Sequence, residues 1–222
     1  MSAAILGLVC VILGAILTRS GDWVVHFFKQ RSNGRYAAVR IITLLDGYAQ
    51  KCASVVSDDG TCEGRPAGRT EEGLEYYAIQ VKTPEAPAFP DDIDWLSIDF
   101  NLMYRILSLP NTARETDRDI SAEAEYSSDP ENNEVIVARQ EGYAHLGLEV
   151  VNLIKELRKE FGLPAKFRRG GRDLEKFFQD ELSEFQKNRE SNATARARMS
   201  DEFAKWRGEA NDAAGIVESE KP

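Results

Sequence analysis

The sequence predicts a mainly α protein: an N-terminal single transmembrane helix, a small helical bundle and a long charged C-terminal helix. Three observations predict this class. Residues 3–18 contain no charged side chain, apolar residues recur at three- and four-residue spacing in two later segments, and the chain beyond residue 173 is rich in Lys, Arg, Asp and Glu. The expected domains are an anchor and interfacial segment (1–31), a bundle core (32–165), a basic loop with a charged helix (166–206) and a disordered tail (207–222).

The apolar run over residues 3–18, AAILGLVCVILGAILT, is predicted to span a membrane. Sixteen helical residues cover roughly 24 Å of a hydrocarbon core that is about 30 Å thick, so the span is slightly short. The residues expected to lie in the membrane include Ala3, Ile5, Leu8, Val11, Leu13, Ile16 and Leu17. An arginine and an aromatic belt are expected to complete the span at the interface: Arg19, Trp23, Phe27 and Phe28.

Two other interpretations of this run are a cleaved secretory signal and a buried helix of a soluble protein. A secretory signal normally has a positive segment before its apolar core and a small-x-small cleavage site after it. No Lys or Arg precedes the run, and no Ala-x-Ala site follows it. A lipoprotein cleavage box is also disfavoured, because Val9 precedes Cys10 where a small residue is expected. A retained anchor is therefore the preferred interpretation.

The distribution of cations predicts the orientation of the anchor. Residues 1–40 have a net charge of +4, with one acidic residue, and every Lys or Arg among them follows the apolar run. These five cations are Arg19, Lys29, Arg31, Arg35 and Arg40. Flanking cations are retained in the cytoplasm, so the N-terminus is expected outside and the soluble part in the cytoplasm. The remainder of the chain carries −13. The sequence thus places a basic segment with these five cations (19–40), called the basic collar below, beside the lipid bilayer, and an acidic remainder, called the acidic body, after it.

The bundle is expected to begin after a short breaker, Ser32-Asn33-Gly34, with the alternative that its first helix continues the anchor helix through a kink at Gly34. From Tyr36 to Val56, apolar residues recur at helical spacing on a wide face, which is typical of a central core helix ending at Asp58-Asp59-Gly60. Residues 61–73 are predicted to form a loop, and residues 74–81 either a strand or a helical turn.

Three prolines at every third position, Pro84, Pro87 and Pro90, favour a rigid polyproline connector laid over the bundle, with a recognition ligand as the alternative. The acidic run over residues 91–99 lacks the glycine and terminal Glu of an EF-hand, so it is interpreted as charge at a helix N-terminus. Trp95 is expected to cover the core.

A second helix is expected over residues 100–109, ended or kinked at Pro110. Residues 111–128 are polar and indicate an exposed helix or a partly ordered connection. Asp129-Pro130 then predicts the start of a long helix that ends at Gly162. Two glycines inside it, Gly142 and Gly147, suggest close approach of a neighbouring backbone.

The C-terminal third begins with a basic loop, AKFRRGGR, which is interpreted as solvated or, alternatively, as a contact for lipid headgroups or an acidic partner. The charged helix that follows is expected to dock through its early half. A continuous coiled coil is disfavoured because polar residues occupy the heptad positions between its apolar ends: Arg189, Asn192 and Arg196.

No catalytic, cofactor-binding or metal-binding residue is predicted. The chain contains two histidines and three cysteines without a Cys-x-x-Cys pair. A catalytic pairing of Cys52 or Cys62 with His145 has no local signature, and His145 is interpreted as a surface or hydrogen-bonded histidine. Free thiols are expected on the cytoplasmic side of the membrane. A pI near 4.9 disfavours nucleic acid as a partner.

Two segments, RYAAVRIITLLDGYAQKC at 35–52 and DIDWLSIDFNLMYRILSLPN at 92–111, together with the N-terminal anchor, resemble a group of uncharacterised membrane-anchored bacterial proteins. The resemblance implies a bacterial inner-membrane location and transfers no reaction or binding residue. The expected function is a non-catalytic tether or interaction module, with a protein partner or homo-oligomer formed through its helices. The alternatives are a membrane-anchored enzyme or accessory subunit with an unfamiliar site, and a periplasmic sensor-type domain.

Overall fold

The structure, a computed structural model, describes residues 32–71, 73–126, 133–164 and 172–219. The predicted anchor and its interfacial residues, together with most of the basic loop, lie outside these ranges. Among the described residues, no helix combines the length and the apolar character needed to cross a bilayer.

The mainly α class and the small bundle are confirmed. The helices of the described residues are α1 (32–56), α2 (Phe100–Tyr126), α3 (Asn133–Glu160) and α4 (Leu174–Ser219). The contacts divide the chain after Phe178 into two compact units, so the bundle lies in the first unit and most of α4 in the second.

Three helices form the bundle, and side-chain contacts along them fix their directions. Early residues of α2 meet late residues of α3, as in the ion pair of Arg105 with Glu156 at 2.6 Å, whereas the later Thr116 lies against Gly142. In α1, Asp46 pairs with Arg158 at 3.6 Å, near the end of α3. The end of α1 meets the start of α3. Both α1 and α2 are therefore antiparallel to α3 and parallel to each other, which requires the long crossover formed by residues 57–99.

The core follows the apolar periodicity that predicted α1 and α3. Ile41, Leu45 and Cys52 of α1 are completely buried, and so are Tyr143 and Val150 of α3. Because apolar residues at this spacing lie on one face of a helix, packing those faces together buries them without burying the charged positions between.

Gly34 lies within α1, so the predicted breaker at Ser32-Asn33-Gly34 is wrong. A Cβ at this glycine would lie 2.9 Å from the carbonyl oxygen of Ser97 and would overlap the ring of Phe161. The glycine therefore allows close packing of the crossover and of the end of α3 rather than interrupting the helix.

The helix α2 does not end at Pro110 but continues to Tyr126. Proline removes one backbone hydrogen bond from a helix interior. Here Leu109 and Ala113 on either side of it are buried, and packing of this face against the bundle outweighs the local loss. The segment 111–126 is therefore helical and part of the bundle rather than a partly ordered connection.

The crossover contains a two-stranded antiparallel sheet, β1 (Gly68–Arg69) and β2 (Glu75–Tyr76). Gly68 pairs with Tyr76, and Arg69 pairs with Glu75. The ambiguous segment 74–81 thus forms a strand at residues 75–76, whereas the remainder of that segment is extended or irregular.

The ends of α2 and α3 follow the capping rules. Asp99 accepts hydrogen bonds from the backbone N–H groups of Asn101 and Leu102, and so caps α2. At the end of α3, Gly162 has a φ of 58°, and the N–H of Leu163 donates to the carbonyl of Arg158 as in a Schellman motif. The predicted start signal Asp129-Pro130 lies outside the described residues.

The helix α4 begins in the bundle unit, where Phe178 is completely buried and its ring covers Gly147. The close approach predicted at Gly147 is therefore made by a side chain rather than by a backbone. In the second unit, every described side chain from Gln186 to Arg207 is exposed. The helix extends to Ser219, where a disordered tail was predicted from residue 207. Alanine and glutamate, both strong helix formers, recur in that segment.

Candidate functional site

The candidate site is the end of the bundle at which α1 begins, called the entry end below. It is formed by the first turns of α1, the 3₁₀ turn Trp95–Ser97 with Phe100, and Phe161 after α3. These parts are in direct contact: Gly34 packs on Ser97 and Phe161, and the Arg35 guanidinium donates a hydrogen bond of 3.0 Å to the carbonyl of Phe161.

An ion pair attaches the crossover to α1 near the entry end. The guanidinium of Arg40 donates to both carboxylate oxygens of Asp92, at 2.8 and 3.0 Å. The hydrogen bond to Arg40 lowers the pKa of Asp92 below its usual range. The Arg40 guanidinium also lies 5.6 Å from the centre of the Tyr36 ring, a cation–π arrangement. The segment 92–97 is thus held along the first turns of α1.

Large apolar side chains surround the entry end and face solvent. Leu96 is 87% exposed, Phe100 is 70% exposed and Tyr36 is 67% exposed. Single exposed apolar residues are common on protein surfaces, but a group at one end of a domain is a typical sign of an interaction surface. On α2 the group continues along one face through Tyr104 and Leu107.

Trp95, which was predicted to cover the core, packs against the proline-rich connector. Its ring meets the ring of Phe89 edge to face, with centroids 5.6 Å apart, and Trp95 is half-buried. Together with Leu107 and Pro110 of α2, these rings line a shallow groove under the proline-rich connector. The connector therefore lies beside α2.

A second cluster is buried at the opposite end of the bundle. Asp58 follows α1, and its carboxylate accepts hydrogen bonds from the backbone N–H groups of Gly60, Gln80 and Val81 and from the Arg139 guanidinium at 3.2 Å. Asp58 is 5% exposed and Arg139 is 2% exposed.

Each buried charge in this cluster is compensated. Burial by itself raises the pKa of Asp58. Hydrogen bonds from the backbone amides of Val81 and Gly60 and from the Arg139 guanidinium lower the pKa by more than burial raises it, so the net pKa is below the usual value. Arg139 also donates to the carbonyl of Val81, and Gln140 donates to the carbonyl of Asp58. The cluster attaches the crossover to both α1 and α3, which is a structural role.

Of the residues considered for catalysis, Cys52 and Tyr48 are enclosed in the core. Cys52 is completely buried, and burial raises the pKa of its thiol to about 12. Tyr48, one turn before it, is 5% exposed, and burial raises its pKa as well. The hydroxyl of Tyr143 donates to Asp117 at 2.7 Å, whereas His145 is exposed. A thiol that stays protonated at neutral pH is a poor nucleophile.

Cys52 and Cys62 are both free, the first buried and the second exposed. Among the residues that the structure describes, no group of three or more His, Cys, Asp or Glu side chains is arranged to hold a metal ion.

The comparisons with known proteins add no assignment. No family model, no curated protein and no solved structure matches the chain.

Sequence reasoning missed two features of the folded chain. Arg139 is spaced with Ile136, Tyr143 and Leu146 on the buried face of α3, and a charged residue on an apolar face is a signal for a buried partner. The exposure of Leu96 and Phe100 has no comparable signal, because an apolar residue near a helix start is more often buried than exposed.

Proposed function

We propose that this chain is a single-pass inner-membrane protein with a cytoplasmic helical domain that acts as a non-catalytic tether or interaction module. The observation that carries the proposal is the uncharged run over residues 3–18. Placing sixteen such residues in water would expose a large continuous apolar surface, and a bilayer removes that cost.

The bundle supports a structural rather than a catalytic role. The polar side chains in its interior are used for packing: Asp58 and Arg139 attach the crossover, and Tyr143 is bonded to Asp117. Cys52 is enclosed, and burial raises the pKa of its thiol to about 12. Histidine is the side chain that most often acts as a general base near neutral pH, and this chain has two histidines. An interaction module needs a stable surface and does not need a general base.

The proposed orientation of the chain in the membrane depends on the cations after the anchor. Five Lys or Arg residues follow the apolar run within the first forty residues, and none precedes it. Such a bias keeps the positive flank in the cytoplasm. The acidic body beyond it is then separated from anionic lipid by the basic collar.

Membrane extraction tests the anchor directly. We expect the full chain, expressed in a bacterial host, to stay with the membrane pellet after an alkaline carbonate wash and to float with vesicles in a density gradient. Introducing Leu8→Arg together with Leu13→Arg should release the chain, because each charge at the centre of a span costs about 2.5–3.5 kcal/mol.

The matched control is Leu74→Arg, since Leu74 is 41% exposed in the crossover and its charge should not affect membrane retention. Release of the unmodified chain by carbonate would contradict the anchor. Turnover of a small molecule by the purified full chain, lost on Cys52→Ala with the fold intact, would contradict the non-catalytic role.

A further inference from the structure

The directions of the helices place several chain ends together. Because α1 and α2 are parallel and α3 is antiparallel to both, the starts of α1 and α2 and the end of α3 all lie at the entry end. Gly34, Ser97 and Phe161 meet there. Residues 1–31 must join the bundle at this end, since α1 is described from residue 32.

The chain between the apolar run and the bundle is short. Thirteen residues, 19–31, separate Thr18 from the described part of α1. They span about 20 Å if helical and at most about 45 Å if fully extended. The helical part of α1, 32–56, is itself about 37 Å long, so Asp58 lies far from the entry end. A linker of about 20 Å is shorter than this part of α1, and with a linker of that length the entry end is the part of the bundle nearest to an anchor formed by residues 3–18.

We propose that the entry end rests in the interfacial region of the bilayer that holds the anchor, with Leu96 and Phe100 in contact with lipid. This inference depends on the proposed function, because it requires an anchor at residues 3–18. Leu96 is 87% exposed and Phe100 is 70% exposed, and aromatic and leucine side chains are typical of the membrane interface.

At the entry end itself, the apolar surface offered to another protein is small. Each large aromatic side chain buries about 150–250 Å², so Leu96, Phe100 and Tyr36 together cover less than the roughly 800 Å² that each partner buries in a standard interface. A bilayer has no such requirement here, since the anchor supplies the attachment and the side chains only need to enter the interface.

The charges near these side chains are compatible with an interface. Asp92 is paired with Arg40 at 2.8 Å, and Asp99 accepts two backbone hydrogen bonds at the start of α2. Asp92 and Asp99 are thus compensated, whereas the exposed Asp94, two residues before Leu96, makes no side-chain capping hydrogen bond and has to stay in the aqueous part of the interface. The cations at Lys29 and Arg31 directly precede α1 and favour anionic headgroups at the same end.

The test uses the full chain carrying Cys10→Ala and Cys62→Ser, with Leu96→Cys labelled by a fluorophore whose emission depends on polarity. The labelled chain is reconstituted into vesicles of zwitterionic and anionic phospholipid, with or without brominated acyl chains. We expect blue-shifted emission that is quenched by brominated lipid, and the same for Phe100→Cys. The matched control is Tyr126→Cys, at the opposite end of α2 and 84% exposed, where emission should stay aqueous and unquenched.

Each other outcome overturns the proposal in a distinguishable way. Aqueous emission at residue 96 in chains that float with the vesicles would refute the bilayer contact and leave the anchor intact. Blue-shifted emission that brominated lipid does not quench would indicate that residues 19–31 or a second copy cover the surface instead. Chains that do not float at all would refute both the anchor and this inference. Because Leu96 is exposed, its replacement should preserve the fold, and an unchanged far-UV circular dichroism spectrum verifies this.

Discussion

At the scale of single residues, the Asp58–Arg139 pair shows how charge is used inside the bundle. Both side chains are nearly inaccessible, and the carboxylate is satisfied by three backbone amides and a guanidinium. Removing one member of a buried ion pair is costly because the other charge remains buried. The pair thus makes the attachment of the crossover depend on one carboxylate.

Asp58→Asn should lower the free energy of unfolding of the bundle by about 3 kcal/mol, because the Arg139 charge loses its partner. Urea unfolding of the full chain in mild detergent, followed by circular dichroism, measures the change. The control is Glu75→Gln, which breaks the exposed Arg69–Glu75 pair and should change stability by less than about 1 kcal/mol. Equal effects of the two substitutions would refute the structural role of Asp58.

The same pair predicts a pH dependence. The pKa of Asp58 is lower in the folded chain than the unfolded value of about 3.9, so its stabilisation is present above about pH 5 and is lost as the pH falls through the folded pKa. Protonated Asp58 resembles asparagine. The stability difference between the unmodified chain and Asp58→Asn should therefore shrink between about pH 5 and pH 3. Denaturant midpoints across this range measure it, and a constant difference would contradict the prediction.

At the scale of elements, two glycines inside helices allow the effect of side-chain packing to be distinguished from that of helix propensity. Gly147 of α3 lies under the completely buried ring of Phe178, whereas nothing lies within 4 Å of a Cβ built on Gly47 of α1. Both positions are helical, so alanine should be favoured at each by propensity alone. The difference between them measures how closely the start of α4 packs on α3.

Gly147→Ala should destabilise the bundle by about 1–3 kcal/mol, because the added methyl group overlaps the Phe178 ring and forces it to move. Gly47→Ala should stabilise it by about 0.5–1 kcal/mol. Thermal unfolding of the full chain in detergent compares the two variants. A stabilising effect at Gly147 would mean that Phe178 is not fixed on α3.

The sequence predicted the elements with strong periodicity and missed those set by distant contacts. The apolar spacing of α1 and α3 was sufficient, because each presents one face to the core. At Gly34 and Pro110, local rules predicted interruptions. Packing of Phe161 on Gly34, and burial of Leu109 and Ala113 beside Pro110, decide the outcome instead. These contacts join segments far apart in sequence, so no local pattern reveals them.

The candidate site was less predictable than the fold. Asp58 and Arg139 are 81 residues apart, and only the antiparallel arrangement of α1 and α3 brings them together. The exposure of Leu96 depends on which way the 3₁₀ turn faces, which is set by the fit of Ser97 against Gly34. A sequence pattern identifies the residue types at these positions but not their surroundings.

At the scale of the whole molecule, charge and hydrophobicity are arranged along the chain. An uncharged run comes first, and a cationic segment follows it directly. Residues 1–40, which contain both, have a net charge of +4, and the remainder of the chain carries −13. In the bundle, the entry end adds exposed apolar side chains beside the cationic segment. This order is the one expected for a domain held close to the cytoplasmic face of a membrane.

The two described cysteines provide a test of this arrangement within one molecule. Cys62 is exposed in the crossover, whereas Cys52 is completely buried and should remain unmodified until the bundle unfolds. Only Cys62 therefore reports on the compartment, and Cys52 verifies that the fold is intact. Replacing Cys10 by alanine removes the remaining thiol.

The most direct measurement is labelling of Cys62 by a membrane-impermeant maleimide in the Cys10→Ala chain, recovered from carbonate-washed bacterial membranes. We expect no labelling in cells whose outer membrane alone is permeabilised, and labelling of Cys62 but not Cys52 once the inner membrane is opened. Labelling of Cys62 while the inner membrane is intact would contradict the cytoplasmic orientation, and absence of the chain from the washed membranes would contradict the anchor.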